Sequence, residues 1–129
     1  MDSCKRKGAQ LNMARRHLMN LNDVPFEASK AGLKTIEVRL NDEKRRVIQA
    51  GDTLEFRKTS DGEVLLASVV AVRMYGSLLE LTAKEEFNKT GGIYRDRAEW
   101  ISAINSYYTT EEQERFGLLS LEISLQPGS

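Results

Sequence analysis

The chain has 129 residues, of which 40% are hydrophobic, and its 19 basic side chains balance its 19 acidic ones. This size and composition fit one soluble domain. No apolar run reaches the roughly 18 to 20 residues of a membrane span, and no apolar stretch follows the basic start as it would in a secretory signal. We therefore expect a cytoplasmic protein without membrane contact. Cys4 is the only cysteine and His17 the only histidine, which excludes an internal disulfide and a Cys/His zinc site within one chain, so we predict no metal and no cofactor.

The first elements predicted along the chain are a short strand and a short helix. Residues 17–21 form the strand candidate, and Asn22 or Asp23 then caps a helix whose first turn accepts Pro25. Gly32 is a natural terminator for this helix, because glycine adopts the left-handed conformation at little cost.

Alternation of side-chain type predicts the strands of the middle of the chain. Ile36, Val38 and Leu40 alternate with Thr35, Glu37 and Arg39, which is typical of a half-buried strand. Residues 41–46 form a charged turn, and strands at 53–57 and 64–74 are joined by a hairpin at Asp61-Gly62. We expect the apolar side chains to enter one barrel-like core, namely Ile36, Val38, Leu40, Val47, Ile48, Leu54, Phe56, Val69 and Leu121.

The last third of the chain predicts helices and one final strand. Helices are expected at 78–88 and 95–107, and Thr110 with Gln113 fits a capping box for a third one. Residues 119–125 alternate as a strand. This order predicts an α+β domain built on a small barrel or a strongly curled, mostly antiparallel sheet with flanking helices.

The charged strand carries a motif with the spacing G-x-K-x-x-E-x-R, formed by Gly32, Lys34, Glu37 and Arg39. This spacing resembles the signature of the ASCH domain family, a branch of the PUA-like superfamily. Further blocks are similar to the small bacterial members in the same order, from residue 16 to residue 125: Pro25-Phe26-Glu27, residues 41–46, Gly51-Asp52, Tyr107-Tyr108-Thr109, Glu111-Glu112-Gln113 and Phe116-Gly117.

The resemblance implies a PUA-like barrel with a helix at its mouth, and it implies binding of RNA. Some small members of the family act as ribonucleases or as amidohydrolases on an acetylated cytidine. We therefore predict a single ASCH/PUA-like domain at 15–126, preceded by a disordered or tag-like arm at 1–14. Its expected partner is RNA or a modified nucleoside or nucleotide, and the sequence does not predict an oligomeric state.

The motif suggests how one cleft binds such a ligand. Glu37 and Arg39 lie about 6.5 to 7 Å apart on one face of the strand. Lys34 and Arg39 are suited to a phosphate or a base edge, and Glu37 to a base amino group or to orienting Arg39. The predicted ligand-binding set is Lys34, Thr35, Glu37, Arg39, Asp42, Arg45, Arg46, Tyr107 and Tyr108, with Lys34 and Glu37 as the catalytic candidates.

A purely structural role is open for each of these residues. Charges alternate on any solvated strand face, and the charges of residues 42–46 also suit a solvated turn. One of Tyr107 and Tyr108 is expected in the core, as are Trp100 and the leucines of residues 78–81. His17 is expected to be a hydrogen-bonded strand residue.

Three functions compete at this level. An RNA-binding or nucleotide-binding module is favoured by the motif and by the first 58 residues, where 13 basic and 8 acidic side chains give a balance of +5.

A small hydrolase would use Lys34 as base or nucleophile, but related amidohydrolases tend to carry a hydroxyl residue at the position of Glu37. Because a nearby carboxylate stabilises an ammonium, we expect Lys34 to be charged and this activity to be weak or absent. A protein-interaction module would use the acidic second half, residues 59–129, with 6 basic and 11 acidic side chains.

Overall fold

A computed structural model describes residues 14–127 of the chain. Its strands are β1 (Arg16–Leu21), β2 (Ile36–Leu40), β3 (Thr53–Lys58), β4 (Val64–Tyr75) and β5 (Leu118–Leu125). Its helices are α1 (Asp23–Lys30), α2 (Leu78–Lys84), α3 (Arg97–Tyr107) and α4 (Thr110–Phe116), with a 3-10 turn at Phe87–Lys89. Apart from Ala14, the predicted arm at 1–14 lies outside the described residues.

The five strands form one curled sheet in the order β1-β3-β4-β5-β2. β1 pairs with β3 in parallel, and the other three pairs are antiparallel. The sheet is half of a barrel with helices around it, so the predicted α+β class is confirmed. Within residues 14–127, no helix has the length and apolar character to cross a membrane.

Local signals explain where the helices begin and end. Asn22 precedes α1, and its backbone carbonyl accepts the first helical hydrogen bond, from Phe26 N at 3.0 Å. The capping box of α4 is formed by Thr109 and Glu112, one residue before the predicted pair. Gly117 ends α4 with a φ of 74°, and a Cβ there would lie 2.9 Å from the Tyr75 carbonyl oxygen, so this position requires glycine.

The sheet separates two apolar clusters, and the prediction of one shared core is wrong. The first cluster contains Met19, Leu21, Phe26, Ile48, Leu54, Phe56, Leu65, Ala67, Val69, Leu119, Leu121 and Ile123. The second cluster, under the helices, contains Ile36, Leu40, Leu78, Leu81, Trp100, Ile104 and Leu118.

The register of β2 on β5 decides which side chains of β2 meet which cluster. Glu37 lies opposite Leu121 and Arg39 opposite Leu119. Directly paired residues share a face of the sheet, so the charged side chains of β2 lie on the face of the first cluster. Ile36 and Leu40 are buried as predicted, but against the second cluster.

Three smaller expectations also differ from the structure. Val47 was expected in the core but is 41% exposed. Leu79, one of the leucines assigned to the core, is 75% exposed because it lies on the outer side of α2. The helix predicted at 78–88 ends at Lys84, since Glu85 adopts an extended backbone. The Glu85 carboxylate there accepts hydrogen bonds from Arg73 and Tyr75.

Candidate functional site

The two edge strands of the sheet, β1 and β2, face each other across a gap that we call the seam. A cleft with a volume of about 280 Å³ opens at one end of the seam. Its lining combines the end of β1, the strand β2, the start of α1 and the helix α3 with the segment before it. This volume is close to the lower limit of small-molecule sites, roughly 300 Å³.

Three charged side chains form the floor of the cleft. Lys34 and Glu37 are only 8% and 5% exposed. The Lys34 ammonium donates to Oε1 of Glu37 and, at 2.8 Å, to the carbonyl oxygen of Ile36. Arg39 Nε donates to the other carboxylate oxygen, Oε2, at 2.7 Å. One buried carboxylate therefore pairs with two cations, and the solvated-face interpretation of this strand does not hold.

These contacts fix the charge of the floor. Burial alone would raise the pKa of Glu37, but Lys34 and Arg39 outweigh burial and lower this pKa below its ordinary value. Burial opposes the charged form of Arg39, and the Glu37 carboxylate raises the pKa of Arg39 despite it. The floor thus holds one carboxylate between two basic side chains.

Backbone contacts position Lys34. The amides of Leu33 and Lys34 donate to the carbonyl oxygen of Ala28 at 3.0 and 3.1 Å, which ties Lys34 to the end of α1. On the other side, Lys34 forms an isolated β-bridge with Thr90. Gly91 has a φ of 88°, and a Cβ there would lie 2.8 Å from the Cβ of Lys34. Only glycine permits this close approach.

Aromatic side chains and polar groups form the walls. Tyr94, Trp100, Tyr107 and Tyr108 supply aromatic surface, and Asn20, Asn22, Thr59 and Thr90 supply hydrogen-bonding groups. Burial and the Glu37 carboxylate raise the pKa of Tyr94, so its hydroxyl keeps its proton. At the rim, Asn22 Nδ2 donates to the Tyr107 hydroxyl at 3.2 Å, and the Thr59 hydroxyl donates to Asn22 at 3.2 Å.

Arg39 also bridges the seam. One terminal nitrogen, Nη2, donates to the carbonyl oxygen of Asn20 on β1 at 3.0 Å. This side-chain contact links the edge strands where the sheet does not close by strand pairing. The planar guanidinium with its several donors suits this double task, because it bonds Glu37 and Asn20 at once.

The structure brings together part of the predicted site. Five of the predicted residues line the cleft: Lys34, Glu37, Arg39, Tyr107 and Tyr108. Tyr108 packs against the second cluster and Tyr107 is 64% exposed, as expected for a pair with one core member. Four others, Thr35, Asp42, Arg45 and Arg46, do not line the cleft. Asp42 and Arg45 form an ion pair at 2.7 Å in the turn after β2.

Several lining residues were not found from the sequence. Asn20 is the second-last residue of β1 and Asn22 follows the strand, and the polar character of this strand end is the signal that could have indicated them. Thr90 and Tyr94 reach the cleft because the chain between α2 and α3 passes Lys34, which no local pattern indicates. Trp100 is buried as expected, and it also lines the cleft.

Two further observations bear on chemistry. Within residues 14–127, no group of three His, Cys, Asp or Glu side chains is arranged to hold a metal ion. His17 lies outside the cleft, where its Nε2 is 2.8 Å from Oδ2 of Asp52. This contact matches the expected hydrogen-bonded strand histidine.

Comparison with known proteins gives one family and several similar structures. The model of the ASCH domain matches residues 19–126. The crystal structure of hypothetical protein PH0355 is 30% identical with a TM-score of 0.76, over 87% of this chain and 99% of that one. The solution NMR structure of protein PF0455 from Pyrococcus furiosus is 31% identical with a TM-score of 0.70, over 87% and 98%.

A third structure supports the fold alone. The crystal structure of an ASCH domain from Lactobacillus crispatus JV V101 is 15% identical, with a TM-score of 0.58, and the match covers 95% of this chain and 86% of that one. Among curated proteins, none matches the chain significantly.

Proposed function

The chain belongs to the ASCH domain family, whose PUA-like members generally bind RNA, and from this premise we propose that its cleft binds RNA or a modified nucleoside. The motif of Gly32, Lys34, Glu37 and Arg39 would form the floor of the binding site. A cytoplasmic location, expected from the sequence, belongs to the same proposal.

The combination of aromatic walls with a charged, hydrogen-bonding floor supports this proposal best. Sequence-specific RNA recognition commonly places an unstacked base on aromatic side chains and bonds its edges to polar groups. Tyr94, Tyr107 and Tyr108 offer such surfaces, and Asn20 and Asn22 offer donors and acceptors beside them. The volume of about 280 Å³ suits one base with its sugar rather than a length of duplex.

Contacts of the floor favour binding over turnover. A general base or nucleophile needs a lone pair, but the Lys34 ammonium donates to Glu37 and to the carbonyl oxygen of Ile36. The Glu37 carboxylate is shared by Lys34 and Arg39. Since both catalytic candidates are engaged with each other, we assign them to holding the ligand and the cleft. Hydrolysis through Lys34 is the alternative, and no contact in the cleft favours a protein-interaction module.

Substitution of Tyr107 tests the proposed site without disturbing the buried charges. Tyr107 lines the cleft but is largely exposed, so Tyr107→Ala should leave the fold intact. Base stacking on an aromatic side chain contributes roughly 1 to 3 kcal/mol. We expect a corresponding loss of affinity for short single-stranded RNA in a fluorescence anisotropy titration at low salt. Leu79→Ala on α2 removes a large side chain that is also mostly exposed and lies away from the cleft, and it should leave affinity unchanged.

Two results would contradict the proposal. Equal RNA affinity of the wild type and the Tyr107→Ala variant would remove the cleft from RNA recognition. Incubation with N4-acetylcytidine, followed by chromatography, addresses hydrolysis directly. Robust deacetylation that disappears in Lys34→Ala would establish the hydrolase instead.

A further inference from the structure

A second cavity, which we call the basic cavity, lies beside β1 at the end away from the cleft. Its volume is about 200 Å³, and its apolar lining residues are Leu18, Met19 and Ile48. Among residues 14–127, no carboxylate lines it, and the polar side chains that do are all basic, namely Arg16, His17, Lys44 and Arg45.

The carboxylates that pair with these side chains are not among the described residues that line the basic cavity. Arg16 Nε pairs with Glu55 at 2.8 Å, but Glu55 also pairs with Arg57 at 2.6 Å, so one carboxylate serves two guanidinium groups. Arg45 pairs with Asp42 at 2.7 Å, and His17 Nε2 lies 2.8 Å from Oδ2 of Asp52. Lys44 forms no ion pair with any residue that the structure describes. The basic cavity therefore presents an excess of positive charge.

The basic cavity and the cleft lie along the same seam. Arg16 is at the start of β1 and Asn20 near its end, a separation of about 13 Å for four residues of extended chain. Opposite them, Arg39 on β2 reaches Asn20, and Arg45 lies in the turn that follows β2. A nucleoside in the cleft does not reach the basic cavity, whereas a longer strand of RNA along the seam does.

We propose that the basic cavity binds the phosphate backbone of an RNA strand whose base occupies the cleft. This inference rests on the proposed function, because it takes the same RNA as ligand. Arginine and lysine bind phosphate oxygens through charge-assisted hydrogen bonds, and the apolar lining residues can contact the sugar. The cleft then reads the base, and the basic cavity supplies affinity that does not depend on sequence.

The test uses a double variant, Arg16→Gln/Lys44→Gln, in the full chain. Both side chains are exposed, and Glu55 keeps its pair with Arg57. The matched control is Lys84→Gln/Arg115→Gln, which removes the same two charges from exposed positions on α2 and α4. Thermal unfolding of all three proteins checks that the folds are comparable.

Affinity for RNA of different lengths separates the two sites. For an oligonucleotide of about ten residues, we expect the double variant to bind roughly three- to tenfold more weakly at about 50 mM salt, with a salt slope smaller by about 1.4. Binding of a single uncharged nucleoside should be unchanged, and the control should match the wild type. The inference would be overturned if the double variant kept the salt slope and the RNA affinity of the wild type. If Tyr107→Ala still bound RNA more weakly in that case, the proposed function would stand.

Inorganic tripolyphosphate tests the basic cavity without RNA. In amide NMR spectra, it should shift the signals of residues 16–18 and 44–46 in the wild type but not in the double variant. Absence of these shifts in the wild type would overturn the anion site. If tripolyphosphate shifts these signals but the protein binds no RNA, the basic cavity is an anion site whose ligand is not RNA. That result would also overturn the proposed function.

Discussion

Glu37 is the carboxylate that pairs with both cations of the motif. Its two oxygens bond Lys34 and Arg39, and through Arg39 they help to hold β1 against β2. A buried cation without a partner is strongly unfavourable, so Glu37 compensates two such charges at once. This requirement explains why a strand beside the apolar core contains so many charges.

Replacing Glu37 with glutamine should destabilise the protein by roughly 3 to 5 kcal/mol at neutral pH, because two buried cations lose their carboxylate. Since the folded state lowers the pKa of Glu37 from 4.5, its contribution is complete above that value and is lost as the pH falls through the lower folded-state pKa. The difference in free energy of unfolding between wild type and Glu37→Gln should therefore shrink in acid. Urea unfolding from neutral pH to acid measures this difference.

The exposed Glu114 on α4 provides the control for this comparison. Glu114→Gln removes the same charge without a buried partner, so its unfolding should follow the wild type at each pH. A deficit of Glu37→Gln that stays constant into strong acid would show that the ionised carboxylate is not the source of the stability.

At the scale of elements, β1 is held less completely than the inner strands. Among the strands that the structure describes, it pairs with β3 alone, and across the seam Arg39 donates to the Asn20 carbonyl oxygen. β4 and β5, by contrast, have neighbours on both sides. Opening of β1 therefore requires the loss of fewer contacts than opening of the centre of the sheet.

Arg39→Lys should increase this opening selectively. Lysine keeps the positive charge beside Glu37, but it cannot donate to Glu37 and Asn20 with the two arms of a guanidinium. We expect faster amide hydrogen exchange in residues 16–21 and unchanged exchange in β4 and β5. Arg115→Lys on the exposed side of α4 is the matched control. Equal acceleration throughout the sheet would instead indicate a global loss of stability.

The elements were predictable from local patterns, but the side of the sheet on which they pack was not. Alternation at Ile36, Val38 and Leu40 identified β2, yet the partner of each face depends on the register with β5, some eighty residues away. The family motif pointed to Lys34, Glu37 and Arg39. Thr90 and Tyr94 were missed because they enter the cleft through tertiary packing, and the capping box was displaced by one residue because two threonines are adjacent.

At the scale of the whole molecule, equal numbers of acidic and basic residues conceal an uneven distribution. The first 58 residues have 13 basic and 8 acidic side chains, of which 10 basic and 7 acidic lie in the described residues 14–58. These residues include the floor of the cleft and the described lining of the basic cavity. Under the proposed function, this excess would attract the negative backbone of RNA to the seam, while the neutral total charge would limit attraction elsewhere on the surface.

A small number of phosphate contacts should produce a shallow dependence of binding on salt. Three contacts, through Arg16, Lys44 and Arg45, correspond to a slope of about −2 for log affinity against log salt concentration on single-stranded RNA. Anisotropy titrations at several salt concentrations give this slope. A slope several-fold steeper would mean that RNA binds over a broad surface and not along the seam.

The order of strands in the sheet also determines when the cleft can form during synthesis. β1 and β2 emerge early from the ribosome, but β1 pairs with β3, and β2 pairs with β5 at residues 118–122. When β1 and β2 are synthesised, the strands with which they pair do not yet exist. β2 can pair only after β5, near the end of the chain, has been synthesised. Nascent chains that end before β5 therefore contain every residue of the motif but not the cleft. Under the proposed function, binding of RNA would then report on completion of the domain.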